Sequence, residues 1–207
     1  MGLLNRRHSG LSSWLNSVAY WRVAIGLIAI SAVVAAFGEA GREALMYDRP
    51  AILGGEYWRL LTGHFTHLSN SHLLLNLAGL VLSWLLVGRN YSTAQWLVVL
   101  LLSIVSISSG FWFLDENMLW YVGLSGVLHG LMIAGAIQGL STLPVESAVI
   151  CALVVSKLVY EQIVGPLPGS ESVSGGTVVV NAHLYGAIGG AIAAGLFWHR
   201  AGRSTAI

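Results

Sequence analysis

The chain has 207 residues, of which 56% are hydrophobic and 9% are charged, and its formal net charge is +1. Soluble domains carry roughly 25% charged residues, so this composition excludes a soluble globular protein, a disordered chain and a basic nucleic-acid-binding protein. The single cysteine, Cys151, excludes a disulfide framework and a cysteine-based metal site. We therefore expect a small polytopic membrane protein with no metal or other cofactor.

Six apolar stretches are long enough to cross a bilayer, which takes roughly 20 residues. They lie at residues 20–37, 71–88, 94–114, 123–140, 145–164 and 178–198. The sequence predicts an all-α bundle of six transmembrane helices at 20–198, between a short N-terminal segment (1–19) and a short tail (199–207). We expect the first stretch to be a retained span rather than a signal peptide. The polar segment that precedes residue 20 is long for a signal peptide, and the residues after the apolar run form a poor cleavage site.

The charged residues predict the orientation, because loops rich in Lys and Arg stay in the cytoplasm. With six spans, one side of the bundle receives Arg6, Arg7, Arg89, Arg200 and Arg203. The other side is mainly acidic and receives Glu39, Glu43, Asp48, Glu56, Asp115, Glu116 and Glu171. Both termini are therefore predicted to be cytoplasmic.

Several polar side chains lie inside the apolar stretches, where an ionisable group is costly and indicates a functional site. The predicted topology places His72 and Asn76 in the outer part of the second span and Ser125 in the first turn of the fourth. His183 lies one to two turns into the sixth span. All four side chains are thus predicted at one depth, in the outer leaflet.

Small residues recur every four positions beside two of these polar residues. They are Gly126, Gly130 and Ala134 in the fourth span, and Ala182, Gly186, Gly190 and Ala194 in the sixth. Such stripes allow two helix backbones to approach closely. We expect spans four and six to pack face to face, which brings the Ser125 hydroxyl within reach of the His183 imidazole.

These residue types together suit acyl transfer. A serine nucleophile needs a base, and a histidine such as His183 serves without a metal. The oxyanion that forms on attack needs fixed hydrogen-bond donors, which His72 and Asn76 can supply. For Asn76, a structural bond between helices stays an alternative, as does a packing or capping role for Ser125.

No acid is evident as a third member of this group. Asp48 and Asp115 fall in loops, and Glu161 is expected to pair with Lys157 at i−4 on the same helix. The sequence therefore predicts a Ser–His dyad. His64 is expected at the membrane interface, without a role in the chemistry.

The motifs resemble those of the rhomboid family of intramembrane serine proteases. The similar elements are Trp58-Arg59, His67 with His72 and Asn76, Gly123-Leu124-Ser125-Gly126, and Ala182-His183 with Gly186 and Gly190. The resemblance covers roughly residues 20–198. It implies hydrolysis of a peptide bond inside the membrane, with Ser125 as nucleophile and His183 as general base. His72, Asn76 and the Ser125 backbone N–H would then form the oxyanion hole, supported by Gly123 and Gly126.

One position departs from the common rhomboid pattern. Many rhomboids carry a tyrosine four residues after the serine, packed on the catalytic imidazole, and here that position is His129. This variant and the short chain resemble the rhombosortase branch, which is associated with secreted bacterial proteins that end in a Gly-Gly-type sorting tail. The branch implies a bacterial inner membrane and a site that opens to the periplasm. We expect His129 to support His183, and His67 to tie the first loop to the second span.

The expected partners are transmembrane protein substrates and lipid, with no nucleic acid. The flexible segment 165–176 is predicted to cap the site. A rhomboid-like chaperone or binding protein without catalysis is the main alternative. A zinc protease is disfavoured because His-Glu-x-x-His is absent, and a transporter because neither repeats nor midplane carboxylates are evident.

Overall fold

The structure is a computed structural model that describes the backbone of residues 18–201 and the side chains of residues 19–198. The N-terminal segment 1–19 lies almost wholly outside the described residues, as does most of the tail 199–207. The side chains of Arg6, Arg7, Arg200 and Arg203, on which the predicted orientation depends, are among those not described.

The described chain is mostly helical. Its helices are α1 Val18–Ala36, α2 Gly38–Leu45, α3 Arg49–Leu53, α4 Arg59–Thr62, α5 Asn70–Val87, α6 Thr93–Phe113, α7 Ser125–Gly139, α8 Pro144–Ile163, α9 Ser170–Ser174 and α10 Val180–Ala201. Short 3₁₀ turns occupy Gly63–Phe65 and Gly88–Asn90. Two short strands, β1 Tyr47–Asp48 and β2 Trp120–Tyr121, pair antiparallel.

Within the described residues 18–201, four helices are long and apolar enough to cross a membrane, so the chain is a multi-pass membrane protein. These candidate spans are Ala19–Ala36, Asn70–Asn90, Thr93–Phe113 and Val180–Trp198. The other two predicted spans, α7 and α8, are not among these four candidates, because α7 is short and α8 carries three charged residues. With 15 residues, α7 is only about 22 Å long, and α8 has 20 residues but carries Glu146, Lys157 and Glu161. The count of six spans stays a prediction.

The predicted packing of the fourth span against the sixth is confirmed, as α7 against α10. A Cβ atom on Gly186 would overlap the carbonyl oxygen of Gly126, and one on Gly190 would overlap that of Gly130. A Cβ on Gly126 would lie 2.7 Å from the Ala182 carbonyl oxygen. Only residues without side chains allow this approach, which places the start of α7 directly against the start of α10.

The segment between α1 and α5 is fastened by two arginines. Arg59 donates to the carbonyls of Glu43 and Met46 at 2.7 and 3.0 Å and pairs with Glu56. Arg49 donates to the carbonyls of Phe111 and Trp112, each at 2.9 Å, at the C-terminal end of α6. The Arg49 contacts fit the negative end of the α6 dipole and hold the segment on the bundle, whereas the Arg59 contacts stabilise the segment internally.

We predict that Gly186→Ala destabilises the folded bundle, while Gly195→Ala on the same helix does not. The new methyl group at 186 meets backbone, which cannot rotate away, and overpacking costs about 1–3 kcal/mol. Nothing lies within 4 Å of a Cβ built on Gly195. Thermal unfolding in detergent should show a lower Tm for Gly186→Ala alone. Equal Tm values for the two variants would contradict the close packing.

Candidate active site

A cavity of about 580 Å³ lies between the N-terminal ends of α5, α7 and α10 and the segment that contains α9. Its wall includes Ser125, His183, His72 and Asn76, the four side chains predicted to share one depth. The structure thus brings together residues from distant parts of the sequence. The wall also includes Lys157 and Glu161 from α8.

Ser125 is the first residue of α7, and a glycine turn positions it there. Gly123 has a φ of +129°, a conformation that side chains strongly disfavour, and a Cβ there would also lie 3.0 Å from Cε1 of His72. As the first helical residue, Ser125 has a backbone N–H with no intrahelical acceptor. The hydroxyl and this N–H are therefore both available at the cavity.

Ser125 Oγ lies 2.9 Å from Nε2 of His183 on the facing helix. His183 is only 5% exposed, so its ring is held in place by packing as well as by this hydrogen bond. The contact depends on the absence of a side chain at Gly126, which lets α10 approach α7 beside Ala182. A hydroxyl against an unprotonated imidazole nitrogen is the arrangement from which a serine can be deprotonated.

Glu161 lies on the other side of His183, which corrects the prediction that no acid accompanies the pair. Its Oε2 is 2.8 Å from Nδ1 of His183, and its Oε1 is 2.6 Å from Nζ of Lys157. The predicted pairing with Lys157 is confirmed, but a carboxylate has two oxygens and serves both partners. An acidic residue inside the predicted span 145–164 was itself the signal that pointed to a functional contact.

His129 stacks on His183, as predicted for the position that carries an aromatic ring in relatives. The ring centroids are 4.2 Å apart and the planes differ by 21°. Nδ1 of His129 lies 2.7 Å from the Ser125 carbonyl oxygen. Because a carbonyl only accepts, this nitrogen carries the proton. His129 is thereby fixed by its own helix and supports one face of the His183 ring.

His72 presents a donor to the cavity. The N–H of Leu68 donates to Nδ1 of His72 at 3.4 Å, so the neutral ring carries its proton on Nε2. That nitrogen lies on the side of the ring that faces Gly123. The Ser69 hydroxyl, which accepts from the His72 backbone N–H at 3.1 Å, caps α5 and fixes this residue in the first turn.

Asn76 lies one turn deeper on α5, and its amide nitrogen donates to the His72 carbonyl at 3.0 Å. The bond is within one helix, so the alternative of a structural bond between helices finds no support among the described residues. A side-chain amide has two N–H groups, and the second is left to donate into the cavity that Asn76 lines.

The sequence matches the Rhomboid domain family over residues 54–200, which is well over half of the chain. The chain belongs to the rhomboid family. Rhomboids are in general intramembrane serine proteases that act on transmembrane substrates. A comparison with the curated proteins gives no match.

His64 and His67 of this rhomboid lie in the first loop, away from the Ser125–His183 contact. His67 packs edge to face on His72 with ring centroids 5.1 Å apart, which links the first loop to α5 as predicted. That His64 lies at the membrane interface stays a prediction, but its side chain is enclosed by the protein. It is 2% exposed, and its Nε2 lies 3.2 Å from the Ser108 hydroxyl, which itself donates to the Leu60 carbonyl. The first loop folds into the bundle and carries His64 with it.

The segment 165–176 lies over the cavity of the rhomboid and contains α9. The Ser69 and Ser71 hydroxyls at the start of α5 donate to the carbonyls of Ser174 and Val173 at 2.9 and 2.6 Å. Glycines with positive φ, Gly169 and Gly175, bound α9 on both sides. The segment therefore contains a short helix that is bounded on each side by a glycine with positive φ, and two hydrogen bonds hold it to the start of α5.

We predict that the folded rhomboid loses stability as the pH falls from about 6.5 to about 4. Burial lowers the pKa of His64 to about 4, and burial together with the nearby His72 lowers the pKa of His67 to about 4. Unfolded histidines titrate near 6.5, so in this interval the unfolded state binds more protons and the free energy of unfolding falls. For His64 the loss is at most about 3 kcal/mol.

Denaturant unfolding in detergent at pH values from 4 to 7 measures this effect. The His64→Gln variant keeps a donor for Ser108 but does not titrate, so its stability should depend less steeply on pH. An identical slope in the variant and the parent would contradict a buried neutral His64.

Proposed function

We propose that this rhomboid is a catalytically active intramembrane serine endopeptidase, with Ser125 as nucleophile and His183 as general base. The observation that carries the proposal is the 2.9 Å contact between Ser125 Oγ and His183 Nε2, in a cavity that His72 and Asn76 also line. A chaperone or binding protein has no need for a hydroxyl aligned on a buried imidazole. That alternative predicts no cleavage by the parent protein and little effect of these residues on substrate binding.

In the acylation step, Ser125 Oγ attacks the carbonyl carbon of the scissile bond and its proton passes to His183 Nε2. The oxyanion accepts hydrogen bonds from His72 Nε2–H, the free N–H of the Asn76 amide and the Ser125 backbone N–H. His183 then gives its proton to the departing nitrogen as the C–N bond breaks. Water repeats the sequence on the acyl-enzyme, losing a proton to His183 and releasing Ser125.

The substrates of this protease are proposed to be membrane-anchored proteins cleaved in or next to their transmembrane segment. His129, stacked on His183, is the feature that supports the rhombosortase branch, for which secreted bacterial proteins with a Gly-Gly-type sorting tail are the substrate class. The cavity lies at the N-terminal ends of α5, α7 and α10, opposite Arg89 at the C-terminal end of α5. This arrangement fits six spans, cytoplasmic termini, a bacterial inner membrane and a site open to the periplasm.

We predict that Ser125→Ala and His183→Ala each abolish cleavage of a transmembrane substrate in liposomes, with the Tm of the variants close to that of the parent. The two residues act as one unit, so the double variant should be no less active than either single variant. Cleavage should be followed by gel and mass spectrometry. Near-parental turnover by either folded variant would refute the assigned pair, whereas a folded parent that cleaves no substrate would favour the chaperone alternative.

We also predict that holding α9 on α5 slows cleavage, because a substrate helix and water must pass the segment 165–176. In a Cys151→Ala background, Ser71→Cys and Val173→Cys place thiols at residues already in contact, and a short crosslinker joins them. Cleavage of the full-length substrate should fall on crosslinking and recover on reversal of the crosslink. The single-cysteine variants treated in the same way are the control. Undiminished turnover in the crosslinked protein would exclude a lid.

A further inference from the structure

We propose that Glu161 is a positioning residue of this site, which converts the expected Ser–His pair into a Ser125–His183–Glu161 triad. The inference rests on the proposed protease function and adds a residue that the motifs of the sequence do not include. Its basis is a continuous line of hydrogen bonds across three helices. Ser125 Oγ contacts Nε2 of His183 at 2.9 Å, and Nδ1 of the same ring contacts Glu161 Oε2 at 2.8 Å.

Burial keeps His183 and Glu161 paired with each other rather than with water. The side chains of His183 and Glu161 are 6% and 2% exposed, so neither group can exchange its partner for water without a rearrangement. Three separate helices, α7, α8 and α10, each contribute one member. A buried carboxylate that lacks partners is strongly unfavourable, so its two hydrogen-bonded contacts are needed to keep it charged inside the bundle.

The contact with Glu161 determines which nitrogen of His183 carries the proton. A carboxylate only accepts, so Nδ1 of the neutral ring donates to Oε2 and Nε2 keeps its lone pair toward Ser125. That is the tautomer a general base needs. When Nε2 takes the proton of Ser125, the ring becomes a cation next to the carboxylate, which favours this state. Glu161 therefore acts through His183 and does not touch the substrate.

Lys157 fixes the orientation of the carboxylate. Its ammonium group lies 2.6 Å from Oε1 of Glu161, which leaves Oε2 for His183. The ammonium is also 3.4 Å from His183 Nδ1, and a bond there would impose the opposite tautomer. The much shorter distances from Glu161 to both partners favour the arrangement in which Lys157 and His183 each donate to the carboxylate.

A metal ion is a weaker interpretation of the same cluster. His129, Glu161 and His183 each offer a ligand atom, and these atoms lie within 4.8 Å of one another. However, the ammonium of Lys157 already supplies a positive charge beside Glu161. Both ring nitrogens of His183 are also engaged, Nε2 by Ser125 and Nδ1 by Glu161. The cluster therefore fits hydrogen-bonded positioning of His183 better than ligation.

The Glu161→Gln variant gives an outcome that a general packing role does not predict. Lys157 only donates, so the new side-chain amide would turn its oxygen toward Lys157 and its NH₂ toward His183 Nδ1. The ring would then accept at Nδ1 and carry its proton on Nε2, where it cannot receive the proton of Ser125. Removing the ammonium with Lys157→Met would let the amide turn over and accept from Nδ1 again.

The test is the rate at which a small fluorophosphonate labels Ser125, measured together with kcat and KM for a transmembrane substrate. Glu161→Gln should lower the labelling rate and kcat about 10²- to 10⁴-fold with little change in KM. Adding Lys157→Met to Glu161→Gln should restore part of the rate, and Glu161→Asp should retain more than Glu161→Gln. Glu146→Gln, which removes an exposed carboxylate from the first turn of α8, is the matched control.

The ¹⁵N spectrum of histidine-labelled protein reports the tautomer directly. His183 should show a protonated Nδ1 in the parent and a protonated Nε2 in Glu161→Gln. If Glu161→Gln fails to fold, Glu161→Asp decides, with a loss of kcat at constant KM expected. Labelling of folded Glu161→Gln at a rate within about threefold of the Glu146→Gln control would overturn the triad.

The parent protein separates this inference from the proposed function. If the fluorophosphonate labels the folded parent no faster than it labels Ser125→Ala, the protease function itself fails. If the parent reacts at Ser125 and the Glu161 variants react equally fast, the protease function stands and only the triad is contradicted.

Discussion

The close approach of α7 and α10 is the constraint on which the site of this rhomboid depends. Gly126, Gly130, Gly186 and Gly190 leave backbone against backbone, so the first turn of each helix meets the other. This contact brings a hydroxyl on one helix to an imidazole on the other at hydrogen-bonding distance. Without a hydrophobic driving force between helices in lipid, such packing and the buried hydrogen bonds must hold the bundle together. The same contacts therefore serve both the fold and the proposed chemistry.

Charge inside the bundle is the second constraint. Lys157, Glu161 and His183 occupy one interior cluster at the cavity, and each polar atom of Glu161 has a donor. The surrounding rings are fixed in the same way, since His129 is held by the Ser125 carbonyl and His72 by the Leu68 N–H. These secondary contacts give each imidazole a defined tautomer. A site so arranged has its donors and acceptors set before a substrate arrives, which is how an enzyme limits reorganisation during the reaction.

Much of this arrangement could be predicted from the sequence because it is local or periodic. The polar residues inside apolar stretches, the four-residue spacing of small residues and the offset between Ser125 and His129 are all visible in the printed chain. Glu161 was missed because an i,i+4 partner accounted for its charge, and sequence spacing does not show that its second oxygen faces another helix. The burial of His64 was not foreseen because this residue lies in the first loop, and nothing local indicates that the loop folds into the bundle. α7 is shorter than the predicted span 123–140 because it begins only at Ser125, after the turn at Gly123, and ends at Gly139.

The most direct test of the central claim is to locate the residue that a fluorophosphonate modifies in the folded protein. The account predicts one adduct, on the peptide that contains Ser125, formed in membranes or detergent and absent after heat denaturation. Replacing His183 with alanine should prevent the adduct, because the hydroxyl then has no base. An adduct on another serine, or no adduct on a protein shown to be folded, would contradict the account.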